Sequence, residues 1–113
     1  MRASIATLAL AMSLTVAVAR AAEPRAPAAG YVIELAQFAF TPTALTVPAG
    51  TTVRWKNLDG EPHTIVSIDG LFRSGALDQG DAFEYAFSKP GSYRYVCSIH
   101  PQMTGTIIVT APR

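Results

Sequence analysis

Cys97 is the only cysteine among the 113 residues, so no disulfide can form within the chain. Small exported domains often rely on such cross-links, and this one must hold its core without them. No apolar run reaches the ~20 residues that a membrane-spanning helix needs; the longest, Ile5 to Ala19, is closed by Arg20. Charge of one sign is not in excess either, with nine Lys or Arg against eight Asp or Glu. That balance implies neither nucleic acid nor an anionic membrane surface as a partner. Beyond Gly30 no helical periodicity outlasts a turn or two, which argues against a helical fold.

The first segment, "MRASIATLALAMSLTVAVARAA", has a basic start at Arg2, an apolar stretch and small residues Ala19 and Ala21 around Arg20. This is the pattern of a secretory signal over residues 1–21, cut after Ala21. Cleavage removes Arg2 and Arg20 and leaves 92 residues, with seven basic and eight acidic side chains and a net charge near −1. The expectation is an exported, periplasmic, soluble and monomeric protein. Since the only cysteine is Cys97, none stands at the cleavage site to carry a lipid, and no membrane anchor is expected. A lone cysteine in an oxidising compartment is prone to oxidation unless it is buried or ligated. Cys97 therefore needs a protector.

"AEPRAPAAG", residues 22–30, is rich in Ala and Pro and reads as a flexible leader. From residue 31 to 113 the texture is that of one domain built of short alternating runs. "YVIEL" puts Tyr31, Ile33 and Leu35 on one face, and "TTVRWKN" does the same with Val53, Trp55 and Asn57. "AFEYAF" aligns Phe83, Tyr85 and Phe87, and "SYRYVC" aligns Tyr93, Tyr95 and Cys97. "HTIVSI", starting at His63, reads as a further apolar strand. Period-2 alternation with aromatic and β-branched residues is the mark of half-buried strands. Turn signals separate them: "VPAG" at Val47, "LDGEP" at Leu58, "IDG" at Ile68, "DQGD" at Asp78 and "KPG" at Lys89. The pattern predicts an all-β sandwich of about seven or eight strands. "GLFRSGALDQG", from Gly70, is the least patterned part and reads as a loop or a single helical turn.

Beyond the signal the chain holds one thiol, two imidazoles and one thioether: Cys97, His63, His100 and Met103. Three of them lie in "CSIHPQM", and His63 follows the Gly60-Glu61-Pro62 turn. The loops after Trp55 and after Tyr95 meet at one end of a sandwich if their strands run the same way. A thiolate and two imidazoles with a weak axial thioether suit copper cycling between Cu(I) and Cu(II). Zinc can occupy such a set, although structural zinc sites favour four strong ligands and rarely use thioether. Pro101 stiffens the turn between His100 and Met103, having a fixed φ and no backbone N–H. Taken singly, Cys97 fits an ordinary buried thiol, Met103 a gap-filler and His63 a satisfied core or rim histidine. A nucleophilic Cys–His pair is the other chemistry available, but no third orienting group accompanies it, and no enzyme is expected.

The stretch "GSYRYVCSIHPQMTGTIIV", Gly91 to Val109, resembles the closing signature of the cupredoxins, most closely their amicyanin and plastocyanin branch. The two-residue gaps on either side of His100 are similar to the short ligand loop of amicyanins, and "VRWKNLDGEPHTI", from Val53, is similar to the family's first-histidine segment. The resemblance implies an eight-stranded Greek-key sandwich with one copper ion, His63, Cys97 and His100 equatorial and Met103 axial. It also implies an electron carrier in which His100 is the electron port. Pro62, Ile99 and Pro101 would form a docking patch for redox partner proteins, or else plain loop packing. A copper carrier or buffer using the same ligands, and a metal-free structural sandwich, are the other readings. Two positions depart from the family: Thr64 stands where Asn often follows the first histidine and ties the ligand loops together, and Gln102 stands where amicyanins tend to be apolar.

Overall fold

A computed structural model describes residues 1–16 and 31–113. The predicted cleavage site after Ala21 and the leader of residues 22–30 lie outside the described residues. Residues 1–16 are exposed and form neither helix nor strand. Among the described residues no helix is long and apolar enough to cross a membrane.

Eight strands follow: β1 (Val32–Ala36), β2 (Ala39–Thr41), β3 (Ala44–Pro48), β4 (Thr51–Asn57), β5 (Val66–Ser67), β6 (Ala82–Phe87), β7 (Gly91–Val96) and β8 (Thr104–Thr110). They form two four-stranded sheets, ordered β2-β1-β4-β6 and β3-β8-β7-β5. Each sheet is mixed: β1 pairs with β4 and β3 with β8 in parallel, and the other neighbours are antiparallel. This is the expected Greek-key sandwich.

The alternation in the sequence becomes the burial pattern. Thr51, Val53, Trp55 and Asn57 of β4 are buried while Arg54 and Lys56 face out, Arg54 pairing with Glu84 on β6 at 3.0 Å. Ile33, Leu35, Val53, Trp55 and Phe87 from one sheet meet Val47, Tyr95, Ile107 and Val109 from the other in a single core. Trp55 sits at its centre, edge-on to Tyr95 with ring centroids 5.4 Å apart and close to Phe72, Phe83 and Phe87. Aromatic clustering of this kind adds to the burial energy of a domain that has no disulfide. Tyr95 fits because it faces Gly105 across the β7–β8 ladder; a Cβ at Gly105 would collide with the phenol. Burial pushes the Tyr95 phenol up to about 12, with the Trp55 indole N–H pulling slightly the other way. Trp55 Nε1 and Tyr95 OH are nonetheless the two buried side-chain polar atoms without a full hydrogen bond among the described residues.

Two segments differ from the sequence reading. "HTIVSI" is a strand only at Val66–Ser67, because its first half pairs instead with the segment read as a loop or helical turn. That segment is extended and forms isolated bridges, Leu77 to His63 and Arg73 to Val66. It tucks Phe72, Ser74 and Leu77 into the core. The reason is hydrogen-bond accounting: buried backbone groups need partners, and His63 and Leu77 exchange N–H···O bonds of 3.1 and 2.8 Å.

Candidate metal centre

His63 and Cys97 arrive from opposite sheets. His63 lies in the loop after β4 and is fully buried, held by the two backbone bonds to Leu77. Asn57, at the buried end of β4, organises that loop: its Nδ2 donates to Glu61 O at 2.9 Å and Leu77 O at 2.8 Å, and its Oδ1 accepts from Asp59 N at 2.9 Å. Cys97 follows β7 directly and is also fully buried. The loop beyond it closes on itself, with Met103 N donating to His100 O at 2.8 Å and Cys97 N to Met103 O at 3.0 Å. Pro101 therefore occupies the second position of a tight turn, where its fixed φ is favoured.

The donor atoms of His63, Cys97 and His100 lie within 4.8 Å of one another. Cys97 Sγ is 3.8 Å from Nδ1 of each imidazole. Met103 is 2 % exposed and reaches the cluster through its backbone bonds to Cys97 and His100. His100 is the half-buried member of the set.

Thr64 provides the loop tie that its replacement of Asn had put in question. Its Oγ1 lies 2.8 Å from Ser98 Oγ and accepts the Ser98 N–H at 2.8 Å, and the same oxygen is 3.8 Å from Cys97 Sγ. Its own N–H donates to Cys97 Sγ at 3.3 Å. Burial opposes ionisation of the Cys97 thiol, but the Thr64 N–H and the two imidazoles outweigh it and lower the thiol to about 6. Cys97 is thereby disposed to the thiolate form, the form that binds metal.

Two residues of the centre had no signal in the sequence. Asp59 Oδ2 is 2.8 Å from His63 Nε2, and the Phe38 ring stands edge-on to both imidazoles, with centroids 5.5 Å from His63 and 5.0 Å from His100. Burial works against the Asp59 carboxylate, yet the Phe38 N–H, His63 and the Gln37 N–H together hold it below its ordinary range. The position of Asp59, four residues before His63, is visible in the sequence; its partners in the β1–β2 turn are not.

A buried thiol and two imidazoles converging at one end of a two-sheet sandwich, with a thioether at the end of the same loop, fit the donor preference of copper. The fold and donor set define a small two-sheet β-sandwich with a copper-binding centre at one end. The Cupredoxin-like domain profile matches residues 5–109, and the chain belongs to the cupredoxin family. It is 32 % identical over 88 residues to an amicyanin of Paracoccus versutus, covering 74 % of this chain and 67 % of the relative. It is 35 % identical over 83 residues to a plastocyanin of Scenedesmus fuscus, 62 % of this chain and 85 % of the relative. Among solved structures, a purple cupredoxin from Nitrosopumilus maritimus superposes with a TM-score of 0.68 and 37 % identity over 72 % of this chain and all of its own.

Proposed function

We propose that His63 Nδ1, Cys97 Sγ and His100 Nδ1 are the equatorial ligands of one type 1 copper ion, that Met103 is its axial ligand, and that the protein shuttles single electrons between redox partner proteins. The observation that carries this is the convergence of the three donor atoms within 4.8 Å, from loops on both sheets. Copper, when bound, supplies the one-electron couple between Cu(I) and Cu(II). The protein's part is to hold its donors. His63 is held from outside the set by Leu77 and Asp59, Cys97 by Thr64, and the loop carrying His100 and Met103 by its own backbone bonds, so donor positions change little when the charge at the centre changes.

His100 is the electron port in this reading, as the donor nearest solvent. Ile99, 48 % exposed, and Phe38, 47 % exposed, flank it, with Pro62 and Pro101 also at the surface. Together they form an apolar docking patch suited to brief encounters with partner proteins. The site works in the periplasm in a protein exported by residues 1–21, as a monomer whose domain starts at Tyr31. No lipid or helical anchor is part of this reading.

Visible spectroscopy after addition of Cu(II) tests the assignment. An intense thiolate-to-copper band is expected, and a weak or absent band would overturn it. Rapid reversible electron self-exchange then separates a shuttle from a copper carrier or buffer, which has no need of it.

A further inference from the structure

Gln37 and Phe38 form the two-residue turn between β1 and β2, and both have positive φ, 54° and 57°. Such turns favour Asn and Gly, because a Cβ strains the left-handed region. Here the turn carries neither, and a single carboxylate answers for it: Asp59 Oδ1 accepts the Gln37 N–H at 2.8 Å and Oδ2 accepts the Phe38 N–H at 3.0 Å. The same Oδ2 is the atom 2.8 Å from His63 Nε2. His63 Nδ1, on the other side of the ring, faces Cys97 Sγ.

We infer that Asp59 is a positioning residue of the copper centre: its carboxylate takes the Nε2–H of His63, leaving the Nδ1 lone pair for the metal, and clamps the strained turn that holds the Phe38 ring against both imidazoles. The inference rests on the copper reading above. Its chemistry follows from the acceptor count. An imidazole with a proton on Nε2 has its free lone pair on Nδ1, and a carboxylate partner fixes that tautomer and makes the ring a stronger donor. A stronger donor favours Cu(II) over Cu(I). Asparagine cannot replace the carboxylate, since both oxygens are in use. With its oxygen at the His63 side, its NH2 meets the Gln37 N–H; turned around, its NH2 meets His63 Nε2 and drives the imidazole proton to Nδ1, where the metal should bind.

The test uses the full chain and Asp59→Asn, first metal-free and then loaded with copper. Nitrogen NMR of the metal-free parent should show His63 protonated at Nε2, and Asp59→Asn should shift the proton toward Nδ1. Cu(II) affinity of the variant should fall about ten- to a hundred-fold, as for other lost carboxylate partners of metal-binding histidines. If Cu(I) affinity is unchanged, each tenfold loss raises the reduction potential by about 59 mV. Asp59→Glu, which keeps both oxygens, should restore part of the potential. A merely structural Asp59 would lower the melting temperature of Asp59→Asn and leave the tautomer and the potential as in the parent; that result overturns the inference, as does a parent His63 protonated at Nδ1. Failure of the parent to take up copper while His63 keeps its Nε2–H would instead overturn the copper reading alone.

Discussion

Removing the Thr64 hydroxyl while keeping the side chain's shape, Thr64→Val, should loosen the link between the two ligand loops by an amount that the geometry sets. The hydroxyl oxygen accepts the Ser98 N–H and meets the Ser98 hydroxyl, each at 2.8 Å, and approaches Cys97 Sγ at 3.8 Å. The first two are well-formed bonds, and the third is long and weak. A net ~0.5–1.5 kcal/mol per bond gives a loss of about 1–3 kcal/mol. Ser98 is exposed, so water can serve its freed groups, and the lower half of that range, about 1–2 kcal/mol, is expected. Thr64 N–H still donates to Cys97 Sγ at 3.3 Å, so the centre itself should survive.

Guanidinium unfolding of the metal-free protein measures this, with Trp55, the single and fully buried tryptophan, as the fluorescent probe. A double-mutant cycle of Thr64→Val with Ser98→Ala isolates the hydroxyl–hydroxyl bond and should return a coupling of roughly 0.5–1 kcal/mol. Thr64→Ser, which keeps the oxygen, should lie close to the parent. A coupling indistinguishable from zero, with Thr64→Val as stable as the parent, would refute the idea that this hydroxyl ties the loops.

Cys97→Ser should abolish the intense visible band, because a hydroxyl gives no thiolate-to-copper transition; Met103→Leu should leave copper bound and raise the potential by removing a weak donor to Cu(II), as voltammetry would show. Gly105→Ala drives a methyl into the Tyr95 phenol, and denaturant midpoints should report a loss of about 1–3 kcal/mol typical of overpacking. The stability of the metal-free protein should rise with pH between about 6 and about 9, since Cys97 is lowered from 9.0 to about 6 in the fold and the unfolded chain binds the proton over that window. The gain is fully present above about 9 and lost as the pH falls through about 6; midpoints that stay flat across this window would contradict the shift.

What could be read in the sequence was what depends on local periodicity and residue chemistry. The inward faces of β4 and β7 followed from alternation, and so did the placing of Asn57 and Cys97 among buried residues. The four soft and borderline donors stood out because the chain has no others beyond its first 21 residues. Non-local hydrogen bonding was not legible. Nothing in "GLFRSGALDQG" announces that Leu77 will bridge His63, because neither partner belongs to a regular ladder. The Gln37–Phe38 turn lacks the Asn-Gly signal of its type, and its strain is offset by a carboxylate 21 and 22 residues away. Thr64 was legible as a departure from the family, but its tie to Ser98 spans 34 residues and needed coordinates to be seen.

These long-range bonds divide the work at the centre. Asp59 engages His63 through Nε2, the nitrogen turned away from Cys97. Thr64 and the closed loop from Cys97 to Met103 hold the thiol chiefly through backbone N–H groups. Neither arrangement uses the imidazole lone pairs that face the thiol, so the constraints persist whichever oxidation state the centre adopts. A fold of this size without a disulfide has little stability to spare. It places its buried hydrogen bonds around His63 and Cys97, where they limit displacement of the donors, and His100 is the half-buried member of the set.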